Sequence, residues 1–387
     1  MTAIRLVATA TFGLEAIVAR ELKKLGYEDI QTENGRLFFT APIEAIARCN
    51  LWLRSSDRIL VCLSQFPATS FEELFEGTKA LPWADWLPPD ANFPVEGKSI
   101  KSKLFSVPDC QAIVKKAIVE KLKASYPVTW FPETGPRYTV EVALFNDVAT
   151  LTLDTSGAGL HKRGYRQLTS QAPLKETLAA ALISLSFWNP ERVLADPFCG
   201  SGTIPIEAAL IGLNIAPGLK RSFAAENWPI TAQKVWSEAR EEARDLIRTD
   251  TRLQIRGTDI DNQVLSLARH HAREAGVADH IHWQQMPMSQ LSSSYSYGCI
   301  ICNPPYGQRL EDMSTVKTLY REMGQVFTHL DTWSYYILTS HQDFEHWFGR
   351  QADRRRKLFN GRLECQYYQY YGPRPPRREH LDDQAAE

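Results

Sequence analysis

Asn303, Pro304, Pro305 and Tyr306 bring an amide oxygen, a main-chain carbonyl and an aromatic face together within four residues. They follow Gly298-Cys299-Ile300-Ile301-Cys302, an apolar run that reads as a buried strand of an α/β sheet. An Asn held by two prolines at the carboxyl end of such a strand stands in the crevice where open α/β sheets bind ligands. The Asn303 side-chain oxygen and the Pro304 carbonyl suit the two N–H groups of a planar amine. Tyr306 suits the face of the ring that carries that amine. A Pro-rich turn that merely closes a strand is spelled the same way, so the tetrapeptide alone also fits a structural role.

A second motif lies upstream. Arg192 to Ala195 leads into Asp196-Pro197-Phe198-Cys199-Gly200-Ser201-Gly202-Thr203, followed by the apolar helical run Ile204 to Ile211. This is a strand, a Gly-rich turn and a helix. Gly200 and Gly202 allow a ligand close to the backbone, and the helix start offers free N–H groups to an anion. No Gly-Lys-Ser/Thr follows, so it is not a phosphate P-loop, and it lacks the dinucleotide spacing.

Together the two motifs resemble motifs I and IV of class I S-adenosylmethionine-dependent methyltransferases that modify exocyclic amino groups. Three further pieces fall in that family's order: Ala172-Pro173-Leu174-Lys175-Glu176-Thr177, Gly257-Thr258-Asp259-Ile260-Asp261, and His161-Lys162-Arg163-Gly164-Tyr165-Arg166. The last, with Ala172 to Thr177, is similar to the THUMP-domain RNA methyltransferases, specifically the bacterial large-subunit (23S) rRNA guanine-N2 type. The resemblance covers nearly the whole chain. It implies S-adenosylmethionine as cofactor, cradled by Phe198, Cys199, Gly200, Ser201, Gly202 and Thr203, with Asp196 on its ammonium or on neighbouring amides. It implies Asp259 on the ribose hydroxyls. Where the family often places an acid to read the adenine, this chain has Gln284 to Ser289, leaving backbone groups and Met286 as a lid. Asn303, Pro304 and Tyr306 are then the catalytic residues, and Arg309 a phosphate or base contact.

Periodicity supplies the elements that must position these groups. Arg5 to about Phe66 alternates strand and helix, with helical apolar positions at 14, 17, 18, 22 and 25, and suggests a small ferredoxin-like sheet. From there to residue 156 the reading is a Trp- and Pro-containing loop, a strand over 99–105, a helix over 108–124 and a hairpin around Asn146-Asp147. In the resemblance this second unit is the THUMP module. Residues 157–171 read as a linker. From Ala172 strands near 192–196, 253–258, 281–285, 298–302 and 334–339 alternate with helices near 174–186, 203–212, 229–248, 261–275 and 314–330. This predicts a Rossmann-like, mostly parallel sheet with helices on both faces. An Asn360-Gly361 hairpin suits an antiparallel final strand, and the tail over 373–387 is expected to be disordered. The expected domains are therefore 1–66, 67–156 and 172–372, in an α/β fold class whose front module is α+β.

The 387 residues are 44% hydrophobic and 23% charged, an ordinary globular composition with room for two or three cores. No apolar run approaches the roughly 20 residues of a membrane span, and Met1 to Arg5 open no signal peptide. The seven scattered cysteines suggest a reducing cytoplasm, and Cys299 and Cys302 read as core rather than metal ligands. His270-His271 lack ligand spacing and read as solvated helix, so no metal is expected. The tryptophans read as packing. The net charge of −1 hides an asymmetry: residues 97–170 hold eleven Lys or Arg against six Asp or Glu, a local +5. A basic face on one module is what an RNA grip would show, and Lys115, Lys116, Lys162, Arg163 and Arg166, with Tyr165 for stacking, are its candidates. A solvated helix would show the same charges.

Three functions fit: an rRNA guanine-N2 methyltransferase, another amino-group methyltransferase (adenine-N6 on RNA or DNA, glutamine-N5 on protein), and a non-enzymatic RNA-binding protein with a relic fold. A front module of about 165 residues is superfluous for modifying glutamine. The joint presence of Asp196, the Gly turn, Asp259 and Asn303 disfavours a relic. Only the resemblance favours guanine over adenine.

Overall fold

Alternation along Ile4–Ala10 sends Leu6, Ala8 and Ala10 into the main core while Val7 joins Phe38, Leu60 and Cys62 on the opposite face. Strand partners follow that register, Val7 lying opposite Phe38 on one side and Leu60 on the other. The computed structural model describes residues 3–128, 130–166, 174–306 and 312–376. These form two units, Met1–Arg166 with Leu213–Thr249, and Gln167–Gly212 with Asp250–Glu387.

The first unit is built on a sheet in the order Gln31–Glu33, Arg36–Ala41, Ile4–Ala10, Ser56–Pro67, Val148–Asp154, Val140–Phe145, Val95–Ile100. The ferredoxin-like and THUMP segments therefore share one sheet: Leu60 to Pro67 pair antiparallel with Asp154 back to Val148 across the expected boundary at residue 66. The hairpin at Asn146-Asp147 is as expected, both residues having positive φ (49° and 62°), the conformation a tight two-residue turn demands. The strand expected over 99–105 instead spans Val95–Ile100. Lys101 takes φ +50° and ends it. The helix Val107–Ser125 buries Cys110, Val114, Ala117, Ile118 and Leu122, one face at helical spacing.

The helix Gln233–Asp245 was expected on the parallel sheet, and the structure corrects this. It lies in the first unit, where Arg48 and Glu242 pair at 2.8 Å. Trp228 stacks on Tyr138 at 4.5 Å between centroids and donates its indole N–H to the Arg137 carbonyl at 2.9 Å. Phe223 and Trp236 stack at 5.3 Å. The stretch 213–249 thus completes the front unit's core, although it is encoded between two strands of the back unit. Trp228→Ala is expected to destabilise that unit by about 3–5 kcal/mol. Denaturant unfolding measures this, and a loss below about 1 kcal/mol would make the segment peripheral.

In the second unit the sheet order is Ile281–Gln285, Ile255–Asp259, Leu194–Asp196, Cys299–Cys302, Ser334–Thr339, Leu363–Tyr370, Arg354–Asn360. The first five strands are parallel, and Leu363–Tyr370 runs antiparallel to both of its neighbours, as a class I methyltransferase fold requires. The chain moves outward in one direction after Leu194–Asp196 and in the other after Cys299–Cys302. A topological switch point therefore opens between these neighbours at their carboxyl ends. No described helix is long and apolar enough to cross a membrane.

Candidate active site

Asp196 ends the central strand and is 2% exposed. Its Oδ1 accepts the Phe198 N–H at 3.1 Å, which folds the Gly turn back over the strand end. Burial, with the nearby Asp259 charge adding, pushes its carboxyl well above the usual range. Asp259, on the adjacent strand, ties the turn from the other side: its Oδ2 accepts Gly200 N–H at 2.9 Å and its Oδ1 accepts Asp261 N–H at 3.1 Å. A carboxylate has about four lone-pair directions, so both oxygens keep capacity for a ligand. Asp261 caps the next helix as expected, accepting the Gln263 N–H at 2.7 Å.

The two glycines of the turn face opposite ways. A Cβ on Gly200 (φ +50°) would meet nothing within 4 Å, whereas one on Gly202 (φ +86°) would meet the Trp283 ring at 2.6 Å and Ala268 at 3.1 Å. Gly257 is similarly covered by Trp283, at 2.4 Å. Only Gly200 thus presents open backbone to a ligand; Gly202 makes room for Trp283. His271 is fully buried, not solvated, and its Nδ1 lies 3.1 Å from the Ser201 carbonyl, holding the turn from the helix Asn262–Ala275. Cys199, Ser201 and Thr203 are buried within the same turn.

Asn303 and Pro304 follow the strand next to Asp196, and both line one cavity of about 890 Å³. Its walls include Pro197, Phe198, Asp259 and Ile260 at one side, Pro287, Met288 and Ser289 beside them, and Pro305, Tyr306, Thr315, Leu319, Glu322, Asn360 and Leu363 at the other. The methionine on the wall after the third strand is Met288, where Met286 was expected; the Met286 N–H is committed to the Asp259 carbonyl at 3.0 Å. Ile260 leaves 71% of its surface exposed and contributes an apolar face to the cavity, a role its sequence position did not reveal.

The Tyr306 hydroxyl donates to Asn303 Oδ1 and accepts the Cys365 thiol at 3.9 Å. Burial raises the Tyr306 pKa far above its ordinary value, so the phenol remains a donor. The Tyr320 hydroxyl reaches the Pro305 carbonyl and Thr339 Oγ1, each at 2.9 Å, and so takes up the second proline's acceptor. The hairpin turn is centred on Gly361-Arg362, one residue later than expected, because Asn360 still pairs with Leu363. Gly361 at φ +65° occupies the first turn position, and Asn360 is carried into the cavity wall. Cys299 and Cys302 are buried strand residues.

A family model described as "RMKL-like, methyltransferase domain" matches residues 163–369, more than half of the chain. The chain belongs to this methyltransferase family. Models of the RlmL ferredoxin-like domain and the THUMP domain match residues 5–60 and 68–154 of this RMKL-like methyltransferase. The Bacillus subtilis (strain 168) protein "Putative RNA methyltransferase YpsC" is 50% identical over 98% of each chain. "Ribosomal RNA large subunit methyltransferase K/L" of Shewanella frigidimarina is 33% identical over 94% of this chain, which spans about half (52%) of that relative. Among solved structures, a Listeria monocytogenes protein described as a "predicted N6-adenine-specific DNA methylase" superposes with a TM-score of 0.93 at 52% identity, covering 96% of this chain and 97% of that one. SMU.472 in complex with SAH superposes at 0.92 with 47% identity, over 97% and 100%.

The cofactor of this family member is S-adenosylmethionine, and the residues fit it. The Asp259 carboxylate and the apolar surfaces of Phe198, Ile260 and Met288 surround a space large enough for a nucleoside with an amino-acid tail, and the open backbone of Gly200 is bonded to that same Asp259.

The residues expected to grip RNA divide. Lys116 and Lys162 are exposed. Lys115 is engaged internally, pairing with Glu133 at 2.6 Å, donating to the Phe93 carbonyl at 3.0 Å and lying 3.4 Å over the Phe93 ring. Arg163 and Tyr165, each 3% exposed, correct the sequence reading. Arg163 donates to the Leu160 carbonyl at 2.8 Å and to the Arg54 carbonyl, so it braces the backbone and is not presented to phosphate. Arg166 is half-buried. Arg309, Ala172, Pro173 and the tail beyond residue 376 lie outside the described residues. Among the described residues no group of His, Cys, Asp or Glu has metal-binding spacing.

Proposed function

We propose that this methyltransferase transfers a methyl group to the exocyclic N2 amine of a guanine in 23S rRNA. The observation that carries the reading is the placement of Asn303 and Pro304 on one cavity with Asp259 and Phe198, at the switch point of the sheet. The K/L relative's name and the THUMP match support large-subunit rRNA as the substrate.

When bound, S-adenosylmethionine supplies a methyl group on a sulfonium, already activated for displacement. The protein's share is positioning, desolvation and activation of a poor nucleophile, because the lone pair of a purine amine is delocalised into the ring. Asn303 Oδ1 and the Pro304 carbonyl accept the two amine hydrogens and favour a tetrahedral nitrogen. The Tyr306 hydroxyl, donating to Asn303 Oδ1, holds that oxygen toward the cavity and leaves its second lone pair for the substrate. The Tyr306 ring and the hairpin residues Asn360 and Leu363 bound the space for a base drawn out of its stack. No strong base is needed, since the proton can leave after transfer. Cytoplasmic rRNA is the matching location.

Nucleoside mass spectrometry of rRNA from a strain lacking this gene tests the reading. One N2-methylguanosine in 23S rRNA is expected to disappear and to return on complementation. Loss of an N6-methyladenosine instead would favour the adenine alternative, and an unchanged rRNA profile would exclude rRNA as the substrate.

A further inference from the structure

Glu322 and Lys175 line the cavity that holds Asn303, and neither forms a side-chain hydrogen bond or ion pair among the described residues. Glu322 lies on the helix Asp312–Thr328, where Thr315, Leu319 and Glu322 recur at helical spacing and all face the cavity. That helix is tied to the tetrapeptide by the Tyr320 hydroxyl on the Pro305 carbonyl at 2.9 Å. Lys175 precedes the helix Glu176–Ser184 and enters the same wall. Both side chains are half-buried, so an acid and a cation stand at the pocket edge with their hydrogen-bonding groups available to a ligand.

The order of groups along a purine edge decides what such a pair can read. If the amine on Asn303 is guanine N2, the next atom is N1–H, a donor, and the one beyond is O6, an acceptor. A carboxylate and an ammonium on the cavity that holds Asn303 supply an acceptor for the N1–H and a donor for O6. If the amine is adenine N6, the neighbours are N1 and N7, both acceptors, and a carboxylate facing either is repelled. We propose that Glu322 reads the guanine N1–H, with Lys175 on O6, and that this pair rejects adenine. The proposal rests on the guanine-N2 reading and supplies a base preference that the tetrapeptide itself lacks. It also bears on the Listeria structure's description as an adenine methylase, since the comparison concerns the same reaction class on the other purine.

The test uses the full-length protein, an RNA fragment carrying the mapped target guanosine, and the same fragment with 2-aminopurine riboside there. 2-Aminopurine keeps the 2-amine but presents N1 as an acceptor and lacks O6. Wild type is expected to prefer guanosine by roughly 10²-fold or more in kcat/KM. Glu322→Gln, whose amide N–H can donate to N1, is expected to shrink that preference by roughly 10- to 100-fold, partly by improving the analogue. Glu322→Ala should lower guanosine use without rescuing 2-aminopurine. S-Adenosylmethionine affinity by calorimetry and thermal melts should be unchanged in both variants. With N2-methylguanosine confirmed as the product, an unchanged preference in Glu322→Gln overturns the role of Glu322 alone, and so does weakened cofactor binding. N6-methyladenosine as the native product overturns the guanine reading itself.

Discussion

Asn303→Ala is expected to slow single-turnover methylation by ~10²–10³ while cofactor affinity is kept, because its oxygen acts on the amine only as that nitrogen becomes tetrahedral. The structure adds a second consequence. The largely buried Tyr306 hydroxyl would lose its acceptor, which costs about 1–3 kcal/mol when no replacement is found. A modest fall in melting temperature is therefore expected alongside the kinetic loss, and rates must be referred to the folded fraction. Asn303→Asp separates the two effects: it keeps an acceptor for Tyr306 and for the amine, so it should retain more of both stability and turnover than the alanine variant. Tyr306→Phe completes the set. Stacking survives, but the hydroxyl that orients the carboxamide is gone, so the loss should fall on kcat, about tenfold, with little change in RNA affinity. If Asn303→Ala lowers stability yet leaves turnover of the folded protein unchanged, Asn303 only ties down the strand end.

The strand–turn–helix at Asp196 to Thr203, the parallel register and the place of Asn303 were legible because they depend on local signals. An apolar run, a Gly pair and a proline pair each constrain a few neighbouring backbone angles. Asn146-Asp147 and Asp261 were legible for the same reason, since a tight turn and a helix cap are short-range devices. What escaped depends on contacts remote in sequence. His271 lies seventy residues from the carbonyl it holds, and nothing around it says that its face of the helix is buried. The helix Gln233–Asp245 shows an amphipathic stripe, but a stripe does not say which core it joins, and the answer was the front unit. Arg163 and Tyr165 looked like an RNA contact because charge and aromaticity suit phosphate and base equally well when exposure is unknown. Burial turns the same two residues into struts. Glu322 carries no motif at all; it matters only because Tyr320, two residues earlier, fastens its helix to Pro305.

Gly200→Asp is expected to abolish S-adenosylmethionine binding in a folded protein, whereas Gly202→Asp should fail at folding. The sequence presents the two glycines as equivalent members of one turn, and from sequence alone a substitution at Gly202 is expected to block the cofactor. The packing reverses that choice. A Cβ at Gly202 runs into Trp283 and Ala268 on the protein side, and its φ of +86° is strained for any side chain, so the damage goes to the core between helix and sheet. Gly200 has open space in front of it and φ +50°, a conformation that Asp and Asn tolerate better than most residues. A carboxylate placed there adds to the charge of Asp259, which already accepts the Gly200 N–H, and repels the carboxylate of the methionine end, while its bulk occupies the approach. Like-charge contact costs several kcal/mol, which corresponds to a loss of more than ~10² in affinity. Gly200→Asn carries the bulk without the charge and should fall between wild type and Gly200→Asp. Calorimetric titration with S-adenosylmethionine, read together with circular dichroism and thermal melts, distinguishes the outcomes. Unchanged affinity in a folded Gly200→Asp protein would mean that the cofactor does not approach the turn at Gly200.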